Sequence, residues 1–187
     1  AFNLGMGSYT LTVTDSKFCL DSVIVDVTQP DSLSAVKEFT NLKCFNDNSG
    51  SIEVTSVSNG SAPYVYNWTG PNGFTSTDED LNDINEPGDY TISVTDANGC
   101  SFSGNVISVP ITEPSALTVS TSNTTVSCSG GSDGTATVNV NGGTPGYSYS
   151  WSNGQSTQTA TGLSSGNFNC VITDANGCTI SLSLIHI

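Results

Sequence analysis

The chain has no arginine, three lysines (Lys17, Lys37 and Lys43) and a single histidine, His186, in 187 residues. Without arginine or clustered lysine it has nothing with which to clamp phosphate, and 17 acidic residues bring the net charge to −14. Such a surface repels nucleic acid and anionic lipid. The single histidine falls in the last six residues, which read as a non-native tail, so no Ser-His-Asp triad is expected, and zinc would lack its usual ligands because no Cys-x-x-Cys occurs. No apolar run approaches the roughly 18 to 20 residues of a spanning helix, so no membrane insertion is expected. No cleavable signal is visible either, and a chain that opens on Ala1 inside a repeat reads as an internal piece of a longer protein. Paired carboxylates of the glycosidase kind remain formally available, but the acids gather in one unrepeated segment, a poor cleft. Neither an enzyme nor a cofactor is expected.

What the chain does have is repetition. YTLTVTDSKFC runs from Tyr9 to Cys19, YTISVTDANGC from Tyr90 to Cys100, and FNCVITDANGC from Phe168 to Cys178. Apolar residues stand at the first, third and fifth positions of each copy: Tyr9, Leu11, Val13; Tyr90, Ile92, Val94; Phe168, Cys170, Ile172. A period of two over this length predicts a half-buried strand. Asp-Ala-Asn-Gly then suits a type I turn closed by glycine at positive φ, and a second strand completes a hairpin. The partial copy has Ser16-Lys17-Phe18 in place of Ala-Asn-Gly, so a different turn is expected there.

The spacing sets the size of the unit. Cys44 and Cys128 are 84 residues apart, as are Gly50 and Gly134, while Trp68 and Trp151 are 83 apart. A period near 80 is the length of a small β-sandwich and too long for a solenoid coil. Residues 1–29 are then the closing hairpin of a truncated repeat, expected to pack on the next repeat or to be poorly ordered. Residues 30–112 and 113–182 are two complete repeats. In each, aromatic residues alternate on a central strand (Tyr64, Tyr66, Trp68; Tyr147, Tyr149, Trp151), with Trp68 and Trp151 the expected core centres beside Tyr90, Phe168 and Cys170. A sugar platform is the other reading of those aromatic rows. Ser103 to Val109 is the expected closing strand of the first repeat. Gly162 to Phe168, a Leu, a Gly and an aromatic entering a strand, looks like the corner between two sheets. The predicted fold is all-β: tandem immunoglobulin-like, Greek-key β-sandwiches.

Two segments stand outside the common plan. Thr77 to Glu86 reads as an acidic insertion in a solvated loop, in which Asp78, Glu79, Asp80 and Asp83 are the candidate Ca²⁺ ligands. It lacks the glycine and the terminal glutamate of an EF-hand loop. The hexapeptide LSLIHI, residues 182–187, resembles the translation of a sequencing-adapter end and is expected to be a non-native tail outside the fold.

The string from Cys128 to Leu163, CSGGSDGTATVNVNGGTPGYSYSWSNGQSTQTATGL, and that from Gly166 to Cys178 resemble the SprB repeat of large surface adhesins from gliding and other Bacteroidetes. The likeness is tight in the second repeat and looser in the first, where Gly70-Pro71-Asn72-Gly73-Phe74 replaces Ser-Asn-Gly. The resemblance implies stalk or spacer modules of an exported cell-surface adhesin, carried out by type IX secretion and used in attachment or gliding. The implied partners are neighbouring repeats of the same chain and, as a ligand, surface polysaccharide. A discrete carbohydrate- or Ca²⁺-binding module is the competing class.

Six cysteines without a metal motif fit an oxidising, extracellular location. In a Greek-key sandwich the turn bearing Cys100 or Cys178 lies where the chain enters, and the loop bearing Cys44 or Cys128 lies at the far end. A disulfide spans only about 4.4–6.8 Å between Cα atoms. That order favours Cys44 with Cys178, between repeats, leaving Cys19, Cys100 and Cys128 without partners in the chain. Cys44 with Cys100 and Cys128 with Cys178 is the pairing that another strand order would give. Cys170, in the place of Ile92, is expected to be a core residue.

Overall fold

A computed structural model describes residues 3–101 and 107–186. Part of the expected closing strand of the first repeat, Ser103 to Val106, lies outside the described residues, as does Ile187. Strands β1 (Gly7–Thr14) and β2 (Leu20–Val27) form an antiparallel hairpin in which Tyr9, Leu11 and Val13 stand opposite Val25, Val23 and Asp21. Its turn matches the other copies after all. Phe18 takes φ 67° where Gly99 and Gly177 have 79° and 87°, and the Asp15 carboxylate accepts the amides of Lys17 and Cys19. A fixed Asp and the two amides it binds set this turn more strongly than the residue at its left-handed position. The apolar face of the hairpin stays open: Leu11 and Val13 are each 60% exposed.

The first repeat comprises β3 (Ser34–Thr40), β4 (Gly50–Ser58), β5 (Val65–Thr69), β6 (Thr75–Ser76), β7 (Leu81–Ile84), β8 (Gly88–Thr95) and β9 (Ile107–Ile111). One sheet runs β3-β4-β7 and the other β6-β5-β8-β9. The chain crosses between sheets after β4, again before β7 and again before β8, which is the Greek-key order of an immunoglobulin-like sandwich. Alternation decides what goes inside. Ile52 and Val54 on β4 meet Trp68 on β5 and Tyr90, Ile92 and Val94 on β8, all buried. Trp68 is 1% exposed, and its indole N–H reaches the Asp78 carbonyl at 3.0 Å, satisfying the one polar atom that burial would strand.

The acidic segment corrects the sequence reading. Its first part, Thr77–Asp80, is exposed loop as expected, but Leu81–Ile84 is a core strand, β7, with a counterpart in the second repeat. Leu81 and Ile84 are 4% and 5% exposed, and β7 pairs with β4 through Ile52↔Leu81 and Gly50↔Ile84. The register shift between those pairs is a bulge, with Asp83 at φ 54°.

The second repeat comprises β10 (Thr118–Thr124), β11 (Gly134–Asn141), β12 (Ser148–Trp151), β13 (Thr159–Leu163), β14 (Asn167–Thr173) and β15 (Thr179–His186), in sheets β10-β11-β13 and β12-β14-β15. Its β13 is the counterpart of β7, with the same bulge and Gly162 at φ 65° in the place of Asp83. Residues 163–167 carry the chain from one sheet to the other. The core is thinner: the facing pair Ile52–Leu81 becomes Ala136–Ala160, and Ile92 becomes Cys170. Trp151 is 3% exposed and its indole N–H donates to the Thr157 carbonyl at 2.8 Å. Phe168 is only half-buried, unlike Tyr90, whose ring packs edge-on against Phe74 and whose hydroxyl donates to the Glu86 carbonyl. The strand β15 continues through Leu184, Ile185 and His186, with His186 opposite Asn167. The backbone of the expected tail is thus paired in the sheet.

Candidate functional site at the joint between repeats

The site begins with an aspartate. Asp174, at the end of β14, is 5% exposed; its carboxylate accepts the amides of Asn176 and Cys178 through Oδ1 and that of Thr144 through Oδ2, at 2.8–2.9 Å. Its own amide donates to the Cys178 carbonyl at 2.9 Å. The turn Asp174–Cys178 is thereby fixed to the loop before β12, and Cys178 is held at the upstream end of the second repeat. Burial pushes the Asp174 carboxyl up, but the amides of Thr144, Cys178 and Asn176 pull it further down, below its ordinary value. Asp96 holds the same position in the first repeat and is lowered by the amides of Ser61 and Cys100.

A carboxyl whose folded pKa is depressed stabilises the fold above its unfolded pKa of roughly 4, and that stabilisation is lost as pH falls through the folded value. Asp174→Asn should therefore lower Tm at neutral pH by roughly 5–10 °C, as expected for one lost acceptor in a buried network. Its Tm should also change less than the parent's between about pH 5 and pH 2. Parallel pH profiles for the two proteins would contradict this assignment.

The partner loop lies at the downstream end of the first repeat, between β3 and β4. Leu42 is buried, its amide donating to the Thr112 carbonyl at 3.0 Å, while the Thr112 amide donates to Asn41 Oδ1. The Asp47 carboxylate accepts the amides of Cys44 and Ser49 and the Ser49 hydroxyl; burial pushes it up and these bonds hold it below its ordinary value. Cys44 is thus presented on a braced loop.

The two fixed cysteines meet. Cys44 and Cys178 form a disulfide with 5.7 Å between Cα atoms, closing 134 residues of sequence. The Asn176 side-chain amide donates to the Lys43 carbonyl and to Thr144 Oγ1, both at 2.9 Å, and the Asn46 amide donates to the Glu113 carboxylate at 3.1 Å. Beside them a hollow of ≈ 270 Å³ is lined by Phe45, Pro114, Leu117, Gly143 and Ile180. The joint therefore has a covalent tie, two polar ties and a short linker running through Glu113 and Pro114. Asn176 was legible in the sequence only as a turn residue; its second role needs the neighbouring repeat to be in place. The alternative pairings, Cys44 with Cys100 and Cys128 with Cys178, are not formed.

Cys19, Cys100 and Cys128 are exposed thiols, and Cys170 is 1% exposed, opposite Trp151, with burial pushing its thiol up. Disulfide-intact monomer should show three rapidly reacting thiols with a chromogenic disulfide reagent and a fourth only after denaturation. A fourth fast thiol would contradict the buried placement of Cys170.

The other candidates do not come together as the sequence suggested. The Asp78 carboxylate accepts the Ser76 hydroxyl, Glu79 that of Tyr66 and Asp80 the Val54 amide, while Asp83 sits at the bulge. The four carboxylates serve separate partners, and no group of three possible metal ligands occurs among the described residues. Burial and Glu79 push the Tyr66 phenol up to about 12. The aromatic rows pack on the two cores, and Tyr64 and Tyr147 bond the carbonyls of Gly60 and Gly142. They form no ring platform headed by Trp68 or Trp151, because both indoles are buried.

Immunoglobulin-like sandwiches tied end to end define a tandem-repeat β protein. Residues 36–73 and 119–156 each match the family model of the SprB repeat, so the chain carries a SprB repeat region. Both matches run from the first strand through the Cys44 or Cys128 loop to just beyond the central tryptophan. Among solved structures, the C-terminal 282-residue fragment of intimin, in complex with the intimin-binding domain of the translocated intimin receptor, is similar at 12% identity with a TM-score of 0.45. That likeness covers 83% of this chain and 64% of the fragment, so the chain spans less than two thirds of the fragment's length. An amphioxus IgVJ-C2 molecule is similar at 16% identity with a TM-score of 0.28, over 84% of this chain and 98% of that one. No curated protein matches the chain.

Proposed function

We propose that the chain is a stalk segment of an exported surface adhesin, whose repeats extend, space and stiffen the array for attachment or gliding. The observation that carries this reading is the joint. A disulfide between consecutive repeats resists bending and pulling between units. Its position suits an oxidising exterior, and the strong negative charge keeps long arrays apart. Any ligand contact is weak and multiplied along the array, with surface polysaccharide the ligand class that fits an outer surface.

On cells that display the array, replacing Cys44 and Cys178 together by Ser should leave surface labelling of intact cells unchanged and reduce attachment under shear. Unchanged attachment would overturn the stalk reading. Binding of the isolated chain to a glycan array with unchanged shear resistance would favour a discrete carbohydrate-binding module.

A further inference from the structure

Cys100 lies in a hollow of ≈ 730 Å³ at the upstream end of the first repeat, and the residues around it repeat those of the joint. Pro30, Leu33, Gly60 and Cys100 line it where Pro114, Leu117, Gly143 and Cys178 line the hollow beside the Cys44 loop, and exposed Met6, ahead of the N-terminal hairpin, borders it on the outward side. The underlying hydrogen bonds are also repeated. Asp96 accepts the amides of Ser61, Asn98 and Cys100 as Asp174 accepts those of Thr144, Asn176 and Cys178. Asn98 donates to Ser61 Oγ as Asn176 does to Thr144 Oγ1. The difference is at the outward side: Asn176 also holds the Lys43 carbonyl, and Cys178 holds Cys44.

The complementary piece stands at the other end of the molecule. Cys128 lies in the loop between β10 and β11, the counterpart of the Cys44 loop, and is exposed. The Gly131 amide closes a turn onto the Cys128 carbonyl at 2.9 Å, as the Asp47 amide does onto Cys44 at 3.4 Å. Ser127, in the place of Lys43, is braced by Asp133 through its amide and hydroxyl.

We propose that the hollow at Cys100 is a docking seat for the cysteine-bearing loop of another SprB repeat. A second copy of this chain can fill it with its Cys128 loop, head to tail. Asn98 then receives the Ser127 carbonyl, and the Cys100 and Cys128 sulfurs join. In that step the two thiols lose two protons and two electrons to a low-molecular-weight disulfide, which leaves as two thiols. The inference extends the joint's geometry beyond a single chain and does not depend on the stalk reading: shear attachment tests that reading, and the disulfide map tests this one.

The test uses the full chain carrying Cys19→Ser, so that Cys100 and Cys128 are its exposed thiols, in a glutathione redox buffer. Non-reducing electrophoresis should show a ladder of oligomers, and mapping should find a peptide linking Cys100 to Cys128. Adding Cys100→Ser to one sample and Cys128→Ser to another should leave each mostly monomeric, while mixing the two should give dimers and nothing longer. Asn98→Ala should slow the linkage about fivefold, the effect of one interfacial hydrogen bond, and Asn153→Ala, outside the seat, should not. Cys100–Cys100 or Cys128–Cys128 links forming as readily as the mixed one, failure of the mixture to dimerise, or an unchanged rate in Asn98→Ala would overturn the seat.

Discussion

Pulled from its two ends in a single-molecule force experiment, the oxidised protein should extend far less than the reduced one. The disulfide closes a loop of 134 residues containing β4 to β14. Tension entering at the N-terminal end passes along the chain to Cys44, crosses the sulfurs to Cys178 and leaves through β15. Everything between the cysteines is bypassed and can unfold without lengthening the molecule. At about 3.3–3.6 Å per residue, reduction should release roughly 450 Å of additional contour length. Cys178→Ser should show that length without reductant. Oxidised and reduced molecules that extend equally would mean that the tie does not bear load.

The second large effect is thermodynamic. The two cores are separate clusters, and the second is built from smaller residues, with Ala136, Ala160 and Cys170 where the first has Ile52, Leu81 and Ile92. Trp151 therefore supplies a larger share of its core than Trp68 does of the first. Truncating a buried tryptophan to alanine costs about 3–5 kcal/mol, most of what a domain near 70 residues has to spare. Calorimetry of the parent should show two transitions, the lower belonging to the second repeat. Trp151→Ala should move only that one, by on the order of 15–30 °C, and Trp68→Ala only the upper. A single transition shifted equally by either substitution would show the repeats to unfold as one unit.

The array was legible in the sequence because its signals are local and periodic. Tyr90, Ile92 and Val94 point inward as their alternation requires, and Gly99 and Gly177 take the positive φ that closes each turn. The placement of Cys44 and Cys178 also followed from strand direction, since counting sheet crossings places them at facing ends. What escaped was β7. Its inward residues, Leu81 and Ile84, are three apart because the bulge at Asp83 breaks the alternation, and the exposed acidic loop Asp78–Asp80 runs straight into the strand and hides its start. The same bulge in the second repeat carries glycine and no acids, so the equivalence of the two segments was hidden by composition. Asp78, Glu79 and Asp80 looked like a ligand set for the same reason: proximity in sequence says nothing about convergence, and each faces a different partner. Phe168 packs against the second core but stays half-buried, with no aromatic partner among the described residues like the Phe74 that covers Tyr90. The second role of Asn176 was invisible because its acceptor, the Lys43 carbonyl, lies 133 residues away.

The account turns on which cysteines are joined, and non-reducing peptide mapping of the native monomer tests this directly. After denaturation, blocking of free thiols and digestion, a disulfide-linked pair of peptides containing Cys44 and Cys178 is predicted, with Cys19, Cys100, Cys128 and Cys170 recovered carrying the blocking group. Recovery of Cys44 linked to Cys100, or of Cys128 linked to Cys178, would place the bonds within repeats and contradict the load-bearing joint.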